Sequence, residues 1–338
     1  MYYLNMKLKT FLKTFVKIIL PLALGVLLIW YIYHKMDLTA IWEVVKSDVR
    51  YDILIFSLIF GLLANITRGY RWGLLIRSIG EKVQTKNVVY AVLGNYAVNL
   101  VLPRMGEVWR CGIITRYEKI PFTKLFGTLL IDRLSDTIMV GSITFLIFVF
   151  NIDFFLNFFS ANPAILTGFE NFIHSIWMYT GLLLFAVIIW AVFKYLGHLS
   201  LVAKAKRLLL DIWEGVKSIW YLDKKWLFIV QTFIIWGGYF LYFYTTFYAF
   251  DFTRHLGVGV GLIAFTMSSI AVAVPVQGGF GPWHFMVIAT LVCFGVDKTD
   301  AAAFALVVHT VQTLWMVICG LFGIVALPII NKNEKSKN

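Results

Sequence analysis

The strongest constraint on this chain is its succession of apolar blocks, each long enough to cross a bilayer and separated by short basic connections. Blocks run from Val16 to Tyr33, Ile53 to Thr67, Lys124 to Phe150, Trp177 to Phe193, Trp226 to Phe250 and Ala301 to Ile330. A helix crossing a hydrocarbon core of about 30 Å needs about 20 mostly apolar residues. These blocks therefore predict about six full transmembrane helices. With 60% of residues hydrophobic and 14% charged, no part of the chain reads as a soluble domain. The fold class is an all-α polytopic membrane protein, and residues 1–338 read as one integral membrane domain.

Two further apolar stretches are interrupted by proline and glycine, at LPRMGE within 88–118 and at VPVQGGFGPW within 258–296. Broken helices at membrane depth survive only where protein or a water-filled cavity shelters the freed backbone. Both stretches are expected to be re-entrant helical hairpins. One from each side would suit an inverted repeat with its site where the two breaks meet.

Most Lys and Arg residues flank the spans on one side, which predicts cytoplasmic N- and C-termini by the positive-inside rule and suggests the plasma membrane. The segment near 198–221 interleaves basic residues with Leu, Val, Ile and Trp and reads as a cytoplasmic amphipathic helix on the membrane surface, or as a short solvated linker. The net charge of +12 fits a basic face against anionic headgroups. Nucleic acid is not an expected partner, since no soluble basic domain is present. The three cysteines show no paired spacing and are expected to be packing residues, with no cofactor or metal. The aromatic content of 17% is assigned mainly to lipid-facing Phe and interfacial Trp and Tyr.

Three polar constellations interrupt the apolar blocks. Asn95, Asn99, Pro103, Arg104, Gly106, Glu107 and Arg110 surround the first break. Arg104, Glu107 and Arg110 recur every three residues, which would place them on one face of a helix. With the free N–H groups of that helix, their positive surplus suits a phosphate. A cytoplasmic loop with snorkelling arginines is the alternative. Asp132, Arg133 and Asp136 lie at least about 12 Å into a helix starting near Pro121. Ionisable groups so placed are functional candidates, or a closed network that fixes packing. The third group is Pro275, Gln277, Gly278, Gly279, Gly281 and His284 at the second break, with Pro and Gly supplying the turns. His309, with Gln312, is either part of the same cavity or an interhelical hydrogen-bonding group. Asn65, Arg68, Arg71 and Trp72 read as an interface anchor at the end of the second span.

In this order, RGYRW, LPRMGEVWR, DRLSD and PVQGGFG resemble the flippase-like membrane family that includes the transmembrane region of lysylphosphatidylglycerol synthases. The resemblance implies a bundle with two re-entrant hairpins around a headgroup cavity, with Arg104, Glu107, Arg110, Asp132, Arg133 and Asp136 about it. The family pattern has Glu where this chain has Asp132, and Glu after the glycine-rich break where it has His284. Fusion members carry an aminoacyl-transfer domain after the membrane part; nothing after the last span here matches one, so lysine transfer is not expected.

The leading expectation is a lipid flippase or scramblase, not an enzyme. Its partners would be membrane lipids, an anionic phospholipid or a lipid-linked phosphate, and its lipid-facing aromatics would equally suit a homodimer. A secondary transporter or channel for a small soluble anion is a second reading. An intramembrane lipid-modifying enzyme is a third, weakened because no HExxH or GxSxG motif occurs and Ser268 and Ser269 have no adjacent base.

Overall fold

The computed structural model describes residues 23–34, 36–47, 49–102, 104–161, 222–272, 274 and 276–335, with scattered positions between 167 and 194. The Trp177–Phe193 block lies mostly outside the described residues. The 198–221 segment, the N-terminal lysines, Pro103, Pro275 and the Gln277 side chain lie wholly outside them.

In chain order the helices are α1 (Ala23–Tyr33), α2 (Leu38–Ser47), α3 (Tyr51–Ser78), α4 (Thr85–Val101), α5 (Met105–Glu118), α6 (Phe122–Phe150) and α7 (Ile152–Ala161). After them come α8 (Lys225–Tyr244), α9 (Val258–Ala271), α10 (Pro282–Cys293) and α11 (Lys298–Lys335). Among the described residues four helices, α3, α6, α8 with its 3-10 extension, and α11, are long and apolar enough to cross a membrane. Residues 148–225 form a separate compact unit, within which α7 packs Phe154, Phe155 and Phe158 on one another.

α3 runs eleven residues past the apolar block, to Ser78, because no proline interrupts it after Thr67, Gly69 and Gly73 stay helical, and the first glycine with positive φ is Gly80. Its buried stripe, Gly61, Ala64, Asn65, Arg68, Arg71 and Trp72, keeps the helical period through the basic segment. The interface-anchor reading of Asn65, Arg68, Arg71 and Trp72 is therefore corrected. Trp72 and Arg71 are among the largest fully buried side chains.

α4 and α5 form the first helical hairpin. Asn95 lies against Gly106 beside the break, Gly94 lies under Trp109, and Asn87 meets Glu118 at the far end, so the two helices are antiparallel. They have 17 and 14 residues, and α9 and α10 of the second hairpin have 14 and 12. At 1.5 Å per residue these helices reach about 18 to 26 Å, short of the roughly 30 Å of a hydrocarbon core.

The two hairpins start from opposite ends of the bundle. Asn87 at the start of α4 bonds Asn331 near the end of α11, and Lys124 at the start of α6 pairs with Glu81, so these termini share one end. The turn before α9 lies at the other end, where Arg50 before α3 donates its N–H to the Ala249 carbonyl. There Asp297 caps α11 through the Thr299 N–H at 2.7 Å, which holds its carboxyl below the usual carboxylate range. Asp37 caps α2, its Oδ1 accepting the Thr39 and Ala40 N–H groups. The two breaks come together: Leu100, two residues before the first, packs against Gly278 in the second.

Glycine sets how closely α4 packs. A Cβ on Gly320 would stand 2.6 Å from the Ala97 Cβ, and one on Gly323 would stand 2.6 Å from the Tyr90 carbonyl. Close backbone approach at small residues is a main source of helix association where lipid replaces water. The aromatic residues are less peripheral than composition suggests. Phe243, Phe247, Phe250 and Phe304 are buried together, with ring centroids 5.1 to 6.2 Å apart along Phe304.

Gly320→Val should lower the thermal unfolding midpoint in detergent, with an overpacking cost of roughly 1–3 kcal/mol. Gly141→Ala, where a Cβ meets nothing within 4 Å, should leave it unchanged. Equal midpoints for the two variants would contradict this packing.

Candidate functional site

The site grows from one turn of α6. Asp132 and Asp136 are spaced i,i+4 and share its inward face, with Arg133 between them. Two carboxylates in a buried position require cations, and α3 supplies both from its own i,i+3 pair. Arg71 places Nη2 2.7 Å from Asp132 Oδ1 and 2.7 Å from Asp136 Oδ1, and its Nε donates to Asp132 Oδ1 at 3.0 Å. Arg68 Nη1 stands 3.0 Å from Asp136 Oδ2. α8 closes the far side: Arg71 Nη1 donates to Thr232 Oγ1 at 3.0 Å, and Trp236 Nε1 reaches Asp136 Oδ1 at 3.4 Å.

The first hairpin brings the remaining charges. Arg110, fully buried on α5, places Nη2 3.3 Å from Asp132 Oδ2 and stacks its guanidinium over Trp72 at 4.5 Å. Trp72 is itself held by a hydrogen bond to Thr128 on α6. Arg110 Nε and Nη1 are buried and have no hydrogen-bond partner among the described residues. Arg133 forms an ion pair with Glu107, Nε to Oε1 2.8 Å, and lies 3.8 Å from Asp136 Oδ2. Arg133 and Glu107 are each about one-third exposed, at 33% and 34%, so the network has a buried end at Arg71 and an accessible end here.

Four guanidinium groups thus face three carboxylates, which leaves one positive charge over. Arg110 leaves two nitrogens, Nε and Nη1, without a hydrogen bond, whereas Arg68 leaves only Nε, so the surplus lies nearest Arg110. Guanidinium is a fork of fixed donors matched to carboxylate or phosphate oxygens. Chemically, the arrangement can hold one anionic group of that shape.

The sequence-predicted residues divide. Glu107, Arg110, Asp132, Arg133 and Asp136 meet in this network. Arg104 does not share their face: it is the residue before α5, with φ 61°, in the left-handed region, and it is exposed. That conformation costs about 1–2 kcal/mol in a residue with a Cβ. The tight return is held by Asn99, whose Oδ1 accepts the Gly106 N–H at 2.8 Å. This is one of the N–H groups expected to be free for an anion, so Asn99 acts as a cap from the neighbouring helix. Asn95 is buried against Gly106, where a Cβ would strike its carbonyl, so only glycine fits.

His284 and His309 lie together, ring centroids 4.5 Å apart, among Tyr33, Phe280 and Trp283 rather than arginines. His309 Nε2 donates to the Gly278 carbonyl at 3.0 Å, fixing the second break. Gly278, Gly279 and Gly281 all have positive φ, and a Cβ on Gly281 would collide with Leu28. Gln312 is a tie between helices, exchanging hydrogen bonds with Tyr242. Thr232 and Trp236 escaped sequence reading; their only signal is an i,i+4 spacing of polar-tipped side chains on α8.

The two ends of the network should respond differently to mutation. Arg71→Leu leaves Asp132 and Asp136 short of their main buried cation and should cost about 3–5 kcal/mol. Arg110→Leu leaves Asp132 still paired with Arg71 and should unfold in denaturant close to the native protein. Equal losses in the two variants would show that Arg110 is a structural tie.

Comparison with known proteins follows the same lines. Over 96 residues, 28% of each chain, the sequence is 29% identical to a UPF0104 membrane protein of Methanocaldococcus jannaschii, so the alignment spans little over a quarter of that relative's length. Residues 18–320 match the family described as the lysylphosphatidylglycerol synthase TM region. That range includes both hairpins and every residue of the buried network, and the chain is a membrane protein belonging to the lysylphosphatidylglycerol synthase transmembrane-region family.

Proposed function

We propose that this protein moves the headgroup of an anionic lipid, a phospholipid or a lipid-linked phosphate, between leaflets through the arginine network, while the acyl chains stay in the bilayer. The observation that carries the reading is the surplus guanidinium: Arg110, buried and carrying two nitrogens without a hydrogen-bond partner among the described residues, beside an accessible Arg133–Glu107 pair. An unaccompanied phosphate in hydrocarbon is prohibitive, whereas charge-assisted hydrogen bonds replace its hydration. One phosphodiester charge would neutralise the cluster.

In this scheme Glu107 occupies Arg133 in the resting state. An arriving phosphate displaces it, bonds to Arg133, and passes inward to Arg110. The Asp132 and Asp136 carboxylates already engage Arg68 and Arg71, so only part of the cationic charge is on offer and the headgroup can leave. No bond of the lipid is made or broken, so the protein acts as a carrier rather than an enzyme. The end of the bundle that gathers Lys82, Lys86, Lys119 and Lys124 would face the cytoplasm of a cell bounded by its plasma membrane. The contacting breaks of the two hairpins would separate the two sides, as in inverted-repeat transporters.

Proteoliposomes carrying a fluorescent phosphatidylglycerol test the scheme through reduction of outer-leaflet probe by dithionite. Native protein should expose inner-leaflet probe, and Arg110→Gln with Arg133→Gln should slow this more than about tenfold while eluting as a folded species. Glu107→Gln, which removes the internal competitor, should tighten binding of the anionic lipid and slow its release. Unchanged probe exposure in the folded double variant would refute the scheme, and flux of a soluble anion without lipid movement would replace it with a solute transporter.

A further inference from the structure

A second feature lies away from the arginine network, on the outer side of α3, α4 and α11. There a trough of about 680 Å³ runs between Leu62 and Ile66 of α3 on one wall and Ile318 and Phe322 of α11 on the other, with Val89 and Leu93 of α4 between them. Its cause is the glycine packing of α4. Gly69 lets α3 close onto Val89, while Gly320 and Gly323 let α11 close onto the opposite flank of α4. Both long helices are held to the short one, and a valley is left between them.

The trough is polar at one end. Tyr70, Thr85, Lys86 and Tyr90 line the mouth nearest the basic end of the bundle, and the remaining lining is apolar. Lys86 is exposed. Arg77, also exposed, reaches the same mouth, with Nη1 3.4 Å from Thr85 Oγ1. The carboxylates nearby are occupied elsewhere: Glu118 accepts from Asn87 at 2.6 Å and Glu81 pairs with Lys124 at 2.6 Å. Among the described residues, neither Arg77 nor Lys86 forms a salt bridge. From the mouth, the trough follows α3 from Tyr70 to Leu62, about 12 Å at 1.5 Å per residue. That is close to the depth of one leaflet's hydrocarbon, half of about 30 Å.

We infer that this trough is a binding site for an anionic glycerophospholipid of the leaflet at the basic end, distinct from the arginine network. Its phosphate sits between Lys86, Arg77 and the Thr85 hydroxyl, and one acyl chain lies along the trough against Trp315 and Cys319. Charge complementarity selects the ligand: two unpaired cations stand at headgroup level directly above an apolar slot. A neutral lipid fills the slot but leaves the cations unmatched, and each basic residue near the surface favours anionic lipid.

Trp315 in the trough reports occupancy directly. In phosphatidylcholine nanodiscs doped with lipid brominated on its acyl chains, the fluorescence difference between native protein and Trp315→Phe isolates this tryptophan. Brominated phosphatidylglycerol should quench it at a mole fraction about tenfold lower than brominated phosphatidylcholine does. Arg77→Gln with Lys86→Gln should abolish that preference, whereas Arg110→Gln should leave it intact, so the result is independent of whether headgroups cross the bilayer. Equal quenching by the two lipids would overturn the site, leaving ordinary lipid contact. Absence of quenching by either would overturn it too, placing a protein segment or a second copy of the chain in the trough.

Discussion

Burying Asp132 and Asp136 on α6 is the step to which the rest of this bundle is accommodated. Two carboxylates a turn apart at membrane depth cannot remain charged without cations, and removing a single partner from such a network is strongly destabilising. Arg71 bridges both, Arg68 pairs with one, Thr232 accepts a further hydrogen bond from Arg71, and Trp236 donates to Asp136. This fixes the register of three long helices against each other. Arg110 reaches the same network from the first hairpin, at 3.3 Å from Asp132 and with its guanidinium over Trp72 of α3.

The pairing within the network changes along its length. At the buried end Arg71 is matched through Nε, Nη1 and Nη2, at 2.7 to 3.3 Å. Toward α5 the matching becomes incomplete, and by Arg133 and Glu107 the groups are partly in contact with the surroundings. The His284–His309 pair is a different kind of device. It sits in aromatic surroundings, and its identified role is to hold a carbonyl freed by the glycine-rich break. The two polar centres are linked through packing, because Trp236 touches both Asp136 and Phe265, and Phe265 belongs to the aromatic core that reaches Trp283.

How much of this was legible in the sequence depended on the range of the interaction. Asp132, Arg133 and Asp136 stand out because charge inside an apolar run is locally visible. Pro and Gly at the breaks also act locally, and the short antiparallel helices follow from them. Arg68 and Arg71 were hidden by a boundary: apolar content ends at Thr67, so a hydropathy reading assigns them to the flank, although the buried stripe of α3 continues through them. The period of that stripe, from Gly61 through Asn65 to Trp72, was the signal that could have placed them. Arg104 shows the opposite error, since a spacing of three implies a shared face only if the helix has already begun, and here it begins one residue later. Thr232 meets Arg71 across 161 positions of chain, and no local pattern encodes such a meeting.

The meeting of the two breaks has one further consequence. At the level of Leu100 and Gly278 the two hairpin tips meet, while α3, α6, α8 and α11 are long continuous helical rods. The rods form a frame and the tips a partition inside it. In the carrier scheme proposed above, small shifts of the tips would change which side of the partition is open without tilting or shortening any rod. The hydrophobic thickness presented to the surrounding lipid would then stay constant between states, so a bilayer of altered thickness would stress the frame equally in each and favour none of them.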